Sequence, residues 1–204
     1  MEPRLAQLTV AEFLDWDATT SIKHEYVDGE VYAMAGASRR HNLVVTNLIR
    51  HARAAADPRA HCQIFGPDMK VRVERRNSFY YPDLSVCCDP SDRHESYLVR
   101  PCFIVEVLSP ATAAVDRREK RMSYSTLESL REYVIVEQDR MRVELYQRNG
   151  AGFRGYLLSE PDHEIESSCL GMRLPLRQAY EGVEFPAGVA EPDPAEYFPV
   201  QPAL

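Results

Sequence analysis

One stretch limits the fold more than any other: Cys102-Phe103-Ile104-Val105-Glu106-Val107-Leu108, apolar throughout except for Glu106. A run this short and this apolar fits a central strand covered on both faces, as in an α/β sheet. Alternation puts Ile104, Glu106 and Leu108 on one face and Phe103, Val105 and Val107 on the other. With both faces buried, an unpaired carboxylate costs on the order of several kcal/mol. Glu106 therefore demands an arginine, a raised pKa or a cation.

The surrounding sequence supplies helices and further strands. Thr9 and Glu12 read as a capping box that opens a short helix through Phe13, Leu14 and Trp16. Asp28-Gly29 between Glu25-Tyr26-Val27 and Glu30-Val31-Tyr32 predicts a hairpin. Ser38 caps a helix that buries Leu43, Val44, Leu48 and Ala52 and ends before Pro58. Met69, Val71 and Val73 alternate with Lys70 and Arg72 as a half-buried strand, and Tyr80 to Cys88 reads as the returning strand. Pro82 within it belongs at an edge, a bulge or an entrance, because it has no amide to donate. After Ser109-Pro110 a helix runs from a Thr112 cap to about Ser125, followed by strands at Tyr133–Val136 and around Val143 and Leu145.

These segments predict an α/β domain with a mixed central sheet flanked by helices, preceded by a helix and a hairpin. Its expected limits are 1–183, with 1–36 the N-terminal helix and hairpin, 37–148 the core and 149–183 peripheral strands. The prolines from 184 to 204 predict an extended tail. With no apolar run long enough to span a bilayer and no signal-like stretch after Met1, a cytoplasmic protein without membrane contact is expected. Cys62, Cys87, Cys88, Cys102 and Cys169 form no CxxC and read as buried thiols of a reducing compartment.

Chemistry concentrates near the apolar strand. Asp83 follows Tyr81-Pro82 at the lip of a second buried strand, so two carboxylates meet at a sheet edge. Oxygen ligands with no Cys/His spacing favour Mg²⁺, with Mn²⁺ as substitute, over Zn²⁺. Asp116, Lys120 and Tyr124 recur at helical spacing and share a face; the competing reading is a surface salt bridge between Asp116 and Lys120. Two carboxylates and an ammonium suit metal-assisted phosphodiester hydrolysis. A net charge of −7 argues against a dedicated nucleic-acid coat but not against such a site, since Arg39-Arg40, Lys70 with Arg72, Arg75-Arg76 and Arg117 to Arg121 offer local cations. GxSxG, HExxH, GxxxxGK[ST] and GxGxxG are all absent.

Taken together, Thr9-Val10-Ala11-Glu12-Phe13-Leu14, Tyr26-Val27-Asp28-Gly29-Glu30-Val31-Tyr32, Gly36 to Asn42, Tyr81-Pro82-Asp83, Glu106-Val107-Leu108-Ser109-Pro110, Asp116 with Lys120, and Leu130-Arg131-Glu132-Tyr133 resemble the Uma-two family of the PD-(D/E)xK nuclease superfamily. The resemblance implies a restriction-endonuclease-like core acting on DNA. It assigns the metal to Asp83, Glu106 and the Val107 carbonyl. The usual lysine position is held by Leu108, and the resemblance implies that Lys120 has taken its role from the next helix. Glu30, Glu25, Asp68, Asp116, Tyr124 and His41 are further candidates; Glu25 reads more simply as a hairpin-surface acid. Cutting both strands implies a homodimer. The alternatives are a nuclease fold that binds nucleic acid or assembles without turnover, and a metal-dependent hydrolase of another phosphoester.

Overall fold

The structure is a computed structural model that describes residues 7–34, 36–109 and 116–188. Its first elements follow local rules. Helix α1 (Val10–Asp17) opens on a capping box: Thr9 Oγ1 accepts from the Glu12 amide at 3.3 Å, and Glu12 Oε2 accepts from the Thr9 amide at 2.8 Å. Strands β1 (His24–Val27) and β2 (Glu30–Ala33) pair antiparallel around Asp28 and Gly29, at φ 47° and 95°. That left-handed pair is what a type I′ turn requires, and it explains the Asp-Gly. Phe13 of α1 then packs against Tyr26 and Phe79, with ring centroids 4.9 and 5.5 Å away. Thr9→Ala removes the cap acceptor, and urea denaturation is expected to show a loss of about 0.5–2 kcal/mol. An unchanged midpoint would mean that the box adds nothing to stability.

After α2 (Arg39–Ala55) come β3 (Gln63–Phe65), β4 (Lys70–Val73), β5 (Ser78–Tyr80), β6 (Leu84–Cys87), β7 (Tyr97–Leu98) and β8 (Phe103–Leu108). A π-helical turn at Asp116–Lys120 leads into α3 (Arg121–Tyr124). Then follow β9 (Glu132–Glu137), β10 (Val143–Asn149), β11 (Gly152–Leu158), β12 (Glu164–Ser167), β13 (Met172–Pro175) and α4 (Leu176–Ala179). The strands form one sheet ordered β2-β1-β5-β4-β7, a larger one ordered β11-β10-β9-β8-β6-β3, and the pair β12-β13. Both larger sheets are mixed: β8 runs parallel to β9, and β4 parallel to β7. This is an α/β fold with mixed sheets flanked by helices.

Three expectations need correction. The segment Tyr80 to Cys88 is not one strand: β5 belongs to the first sheet and β6 to the second, with Tyr81-Pro82-Asp83 between them. Proline cannot donate to a ladder, so the chain leaves one sheet at Pro82 and enters the other. The helix expected from Thr112 is described only from Asp116, and it begins as a π-turn; Thr112 itself lies outside the described residues. Nor are all the cysteines thiols. Extending the β3–β6 register by one residue puts Cys62 opposite Cys88, and these two form a disulfide with Cα atoms 4.0 Å apart. The proline-rich tail is described only to Gly188.

The alternation along β8 divides the core. Phe103, Val105 and Val107 join Val44, Val45, Leu48 and Ala52 of α2. Ile104 and Leu108 face the other way, among Tyr124, Tyr133, Ile135 and the Val71, Val73 and Tyr80 side chains of the first sheet. Glu106 shares that second face and so lies between α3 and the first sheet, 3% exposed.

Candidate active site

Two clusters form where β6 and β8 meet. The β6–β8 register pairs Leu84 with Val105, so one further step sets Asp83 opposite Glu106. Asp83 Oδ2 accepts from the Val107 amide at 2.7 Å and lies 3.2 Å from His41 Nε2. His41 stands in the first turn of α2, its amide donating to the Ser38 cap at 3.1 Å. Ser38 also donates to Gln138 Oε1, and Gln138 Nε2 donates to the Leu108 carbonyl at 2.9 Å. That thread joins the start of α2 to the end of β8, and it fixes His41 relative to Asp83.

The second cluster centres on Lys120, only 4% exposed. Its Nζ lies 2.7 Å from Glu25 Oε1 and 3.3 Å from Glu106 Oε1, and 5.6 Å above the Tyr80 ring. Tyr124 donates to Glu106 Oε1 at 2.9 Å. Full burial, reinforced by the Glu106 charge, raises the Tyr124 hydroxyl well above its ordinary pKa, so it stays a neutral donor. Burial likewise raises Tyr80, whose hydroxyl is shared with Ser123 at 3.1 Å.

Not every sequence candidate joins these clusters. Glu30 Oε2 accepts from Tyr32 at 2.5 Å on the exposed hairpin, and Asp68 pairs with Lys23 with its side chain 87% exposed. Asp116 starts the π-turn, but its side chain lies outside the described residues. Leu108, in the usual lysine position, is packed into the core at 4% exposure. Glu25, read from sequence as a hairpin-surface acid, instead faces Lys120. Tyr80, Ser38 and Gln138 are not anticipated as site residues; from sequence, Ser38 reads only as a helix cap and Tyr80 only as part of a strand. Several expected cation patches are tied up internally: Lys70 is buried against Asp17 at 2.7 Å, Arg40 pairs with Asp139, and Arg117 binds Glu137 and Glu144.

The donor set fits a hard divalent cation, since Asp83, Glu106 and Glu25 offer only carboxylate oxygens. It is not a closed cage. Among the described residues, no three of these acids and His41 bring ligand atoms within 4.8 Å of one another.

The mixed-sheet α/β fold, with Asp83 in register opposite Glu106 and Lys120 between Glu106 and Glu25, is of the restriction-endonuclease-like class. Residues 10–180 match the Uma2 family model, described as "Putative restriction endonuclease", and the chain belongs to that family. Two uncharacterized proteins of Synechocystis sp. are similar. Slr1290 is 32% identical over 88% of this chain and 94% of its own length, and sll1609 is 35% identical over 80% and 94%. The fold also resembles a solved structure from Anabaena variabilis described as "a putative nuclease belonging to DUF820". That likeness has a TM-score of 0.65 at 18% identity, covering 85% of this chain and 97% of the other. No helix among the described residues is long and apolar enough to cross a membrane.

Proposed function

We propose that this chain is a DNA endonuclease that uses Mg²⁺, or Mn²⁺ in its place. The observation that carries the reading is Lys120, a buried ammonium held between Glu106 and Glu25. It restores, from the helix, the cation that Leu108 cannot supply from the strand. Asp83 and Glu106 would hold the metal, with the Val107 carbonyl as a third oxygen and Glu25 at the margin. Bound there, the metal would polarise the scissile phosphate and lower the pKa of a water. The Val107 amide and His41 fix Asp83 in one orientation. Tyr124 does the same for Glu106, and because it stays protonated it does so without adding charge. Lys120 orients the attacking water or offsets the charge that develops on the phosphate. Cutting of both strands would use two copies of the chain.

Titration calorimetry with Mg²⁺ and Mn²⁺ and nicking of supercoiled DNA test this together. Asp83→Asn and Glu106→Gln should each lose metal binding and lower cleavage by about 10²-fold or more, the scale of losing one electrostatic group at a reacting centre. Metal affinity unchanged in both variants would refute the assignment. DNA retention with no cleavage under any metal would favour the binding module.

A further inference from the structure

We propose that Cys62, Cys88, Cys102 and Cys169 form a second, redox-gated metal site that takes Zn²⁺ as a tetrathiolate when the Cys62–Cys88 bond is reduced. The four residues come from separate parts of the chain: the entrance to β3, the exit of β6, the entrance to β8 and the turn between β12 and β13. They converge nonetheless. Cys88 Sγ and Cys102 Sγ are 3.6 Å apart, and the sulfurs of Cys88, Cys102 and Cys169 all lie within 4.8 Å of one another. Cys62 is bonded to Cys88 and contacts the Cys169 carbonyl at 3.8 Å. Zn–S bonds of about 2.3 Å in a tetrahedron place sulfurs about 3.8 Å apart. Cys88 and Cys102 already have nearly that spacing, Cys169 lies within 4.8 Å of both, and opening the disulfide frees the fourth sulfur beside them.

The surroundings suit a cation held by thiolates. All four cysteines line one cavity, together with Asp89, Arg100 and Arg131; Arg100 is paired with Asp89 at 3.0 Å, so Arg131 is the cation that offsets part of the double negative charge of a tetrathiolate site. Ser167 Oγ lies 3.3 Å from Cys169 Sγ and can donate to it. Glu132, 3% exposed, accepts from the Ser168 amide next to Cys169 but leaves Oε2 buried without a partner among the described residues. Cys87, the fifth cysteine, points to the other face, toward Asp92 at 3.6 Å. The site is separate from the acids: Cys102 precedes Glu106 by four positions on one strand, about 13 Å at strand rise.

Chemical balance is simple. A dithiol reductant breaks the Cys62–Cys88 bond, gives two electrons and two protons to the sulfurs, and closes to its own disulfide. Four thiols then bind one Zn²⁺ and release four protons. A small-molecule disulfide reverses the gate, taking the two electrons from Cys62 and Cys88 and leaving as two thiols while the metal departs.

The experiment uses the full chain, reduced with a dithiol and freed of it anaerobically, then titrated with Co²⁺ and afterwards Zn²⁺. One equivalent of Co²⁺ should give intense sulfur-to-metal charge-transfer absorption that Zn²⁺ abolishes. Oxidised protein should show none. Cys102→Ser and Cys169→Ser should weaken binding at least tenfold, while Cys87→Ser should leave it unchanged. No thiolate absorption in reduced wild-type protein would overturn the proposal, as would equal binding by the oxidised form. Both of these outcomes are read on wild-type protein, so they stand even where a serine variant misfolds. Neither depends on DNA cleavage, and cobalt on the carboxylates alone would lack the charge-transfer band, so the two metal sites are tested separately.

Discussion

Lys120→Met should abolish DNA cleavage and destabilise the fold by about 3–5 kcal/mol, the usual cost of removing one partner from a buried ion pair. Methionine keeps the length of the stem and removes only the charge. Its neighbours then lose the ammonium that Glu106 and Glu25 share, and Glu106 is 3% exposed. A dead variant that is also unstable proves little about chemistry, so a second substitution separates the two effects. In Lys120→Met with Glu106→Gln, no charge at position 106 remains to be compensated, and urea denaturation should recover part of the loss. Nicking should not recover with it, because both the cation and a proposed metal ligand are gone. Full cleavage by a folded Lys120→Met protein would remove this lysine from the mechanism.

Much of this arrangement is visible in the chain before folding. Glu106 is legible because a carboxylate within an unbroken apolar strand has few physical justifications. The alternation that puts it with Ile104 and Leu108 is the division found in the core. Glu25 is not legible in the same way. Its neighbours His24 and Tyr26 are the buried ones, so local alternation turns Glu25 toward solvent. Only the approach of the second sheet and its helix gives that outer face a lysine. The split at Pro82 is obscured for a related reason: residues 80–88 are continuously strand-like, and which sheet each half joins is a tertiary matter. Strand β3, with three residues, carries too short a pattern to declare itself. The cysteines are the clearest case. Positions 62, 88, 102 and 169 have no informative spacing, because what brings them together is strand register and a distant turn.

The π-turn that presents Lys120 depends on Arg117, and Arg117→Met should cost about as much stability, roughly 3–5 kcal/mol. Arg117 donates to Glu144 Oε1 at 2.7 Å and to Glu137 Oε1 at 2.6 Å, tying the turn to β9 and β10. Glu144 is 1% exposed, and burial raises its carboxyl above the ordinary value of 4.5 even with the guanidinium beside it. Without Arg117 it keeps the Tyr146 hydroxyl at 2.6 Å but loses the compensating charge, so its pKa rises further. An acid whose folded pKa is raised contributes stability that is fully present below its unfolded pKa. That stability is lost as pH climbs through the folded value. The deficit of the variant should therefore be largest above the raised Glu144 value and shrink as pH falls through it toward the ordinary carboxylate range, where protonation removes the buried charge. Denaturation curves across that range measure it; a deficit that grows on acidification would contradict the role given to Glu144. On the proposed reading, Arg117 acts on catalysis through the position of Lys120. Its loss should lower cleavage at saturating DNA while the metal binding proposed for Asp83 and Glu106 persists, since Arg117 is held by Glu137 and Glu144 on β9 and β10. Equal losses in metal affinity and turnover would instead mean that the turn supports the whole site and not the lysine alone.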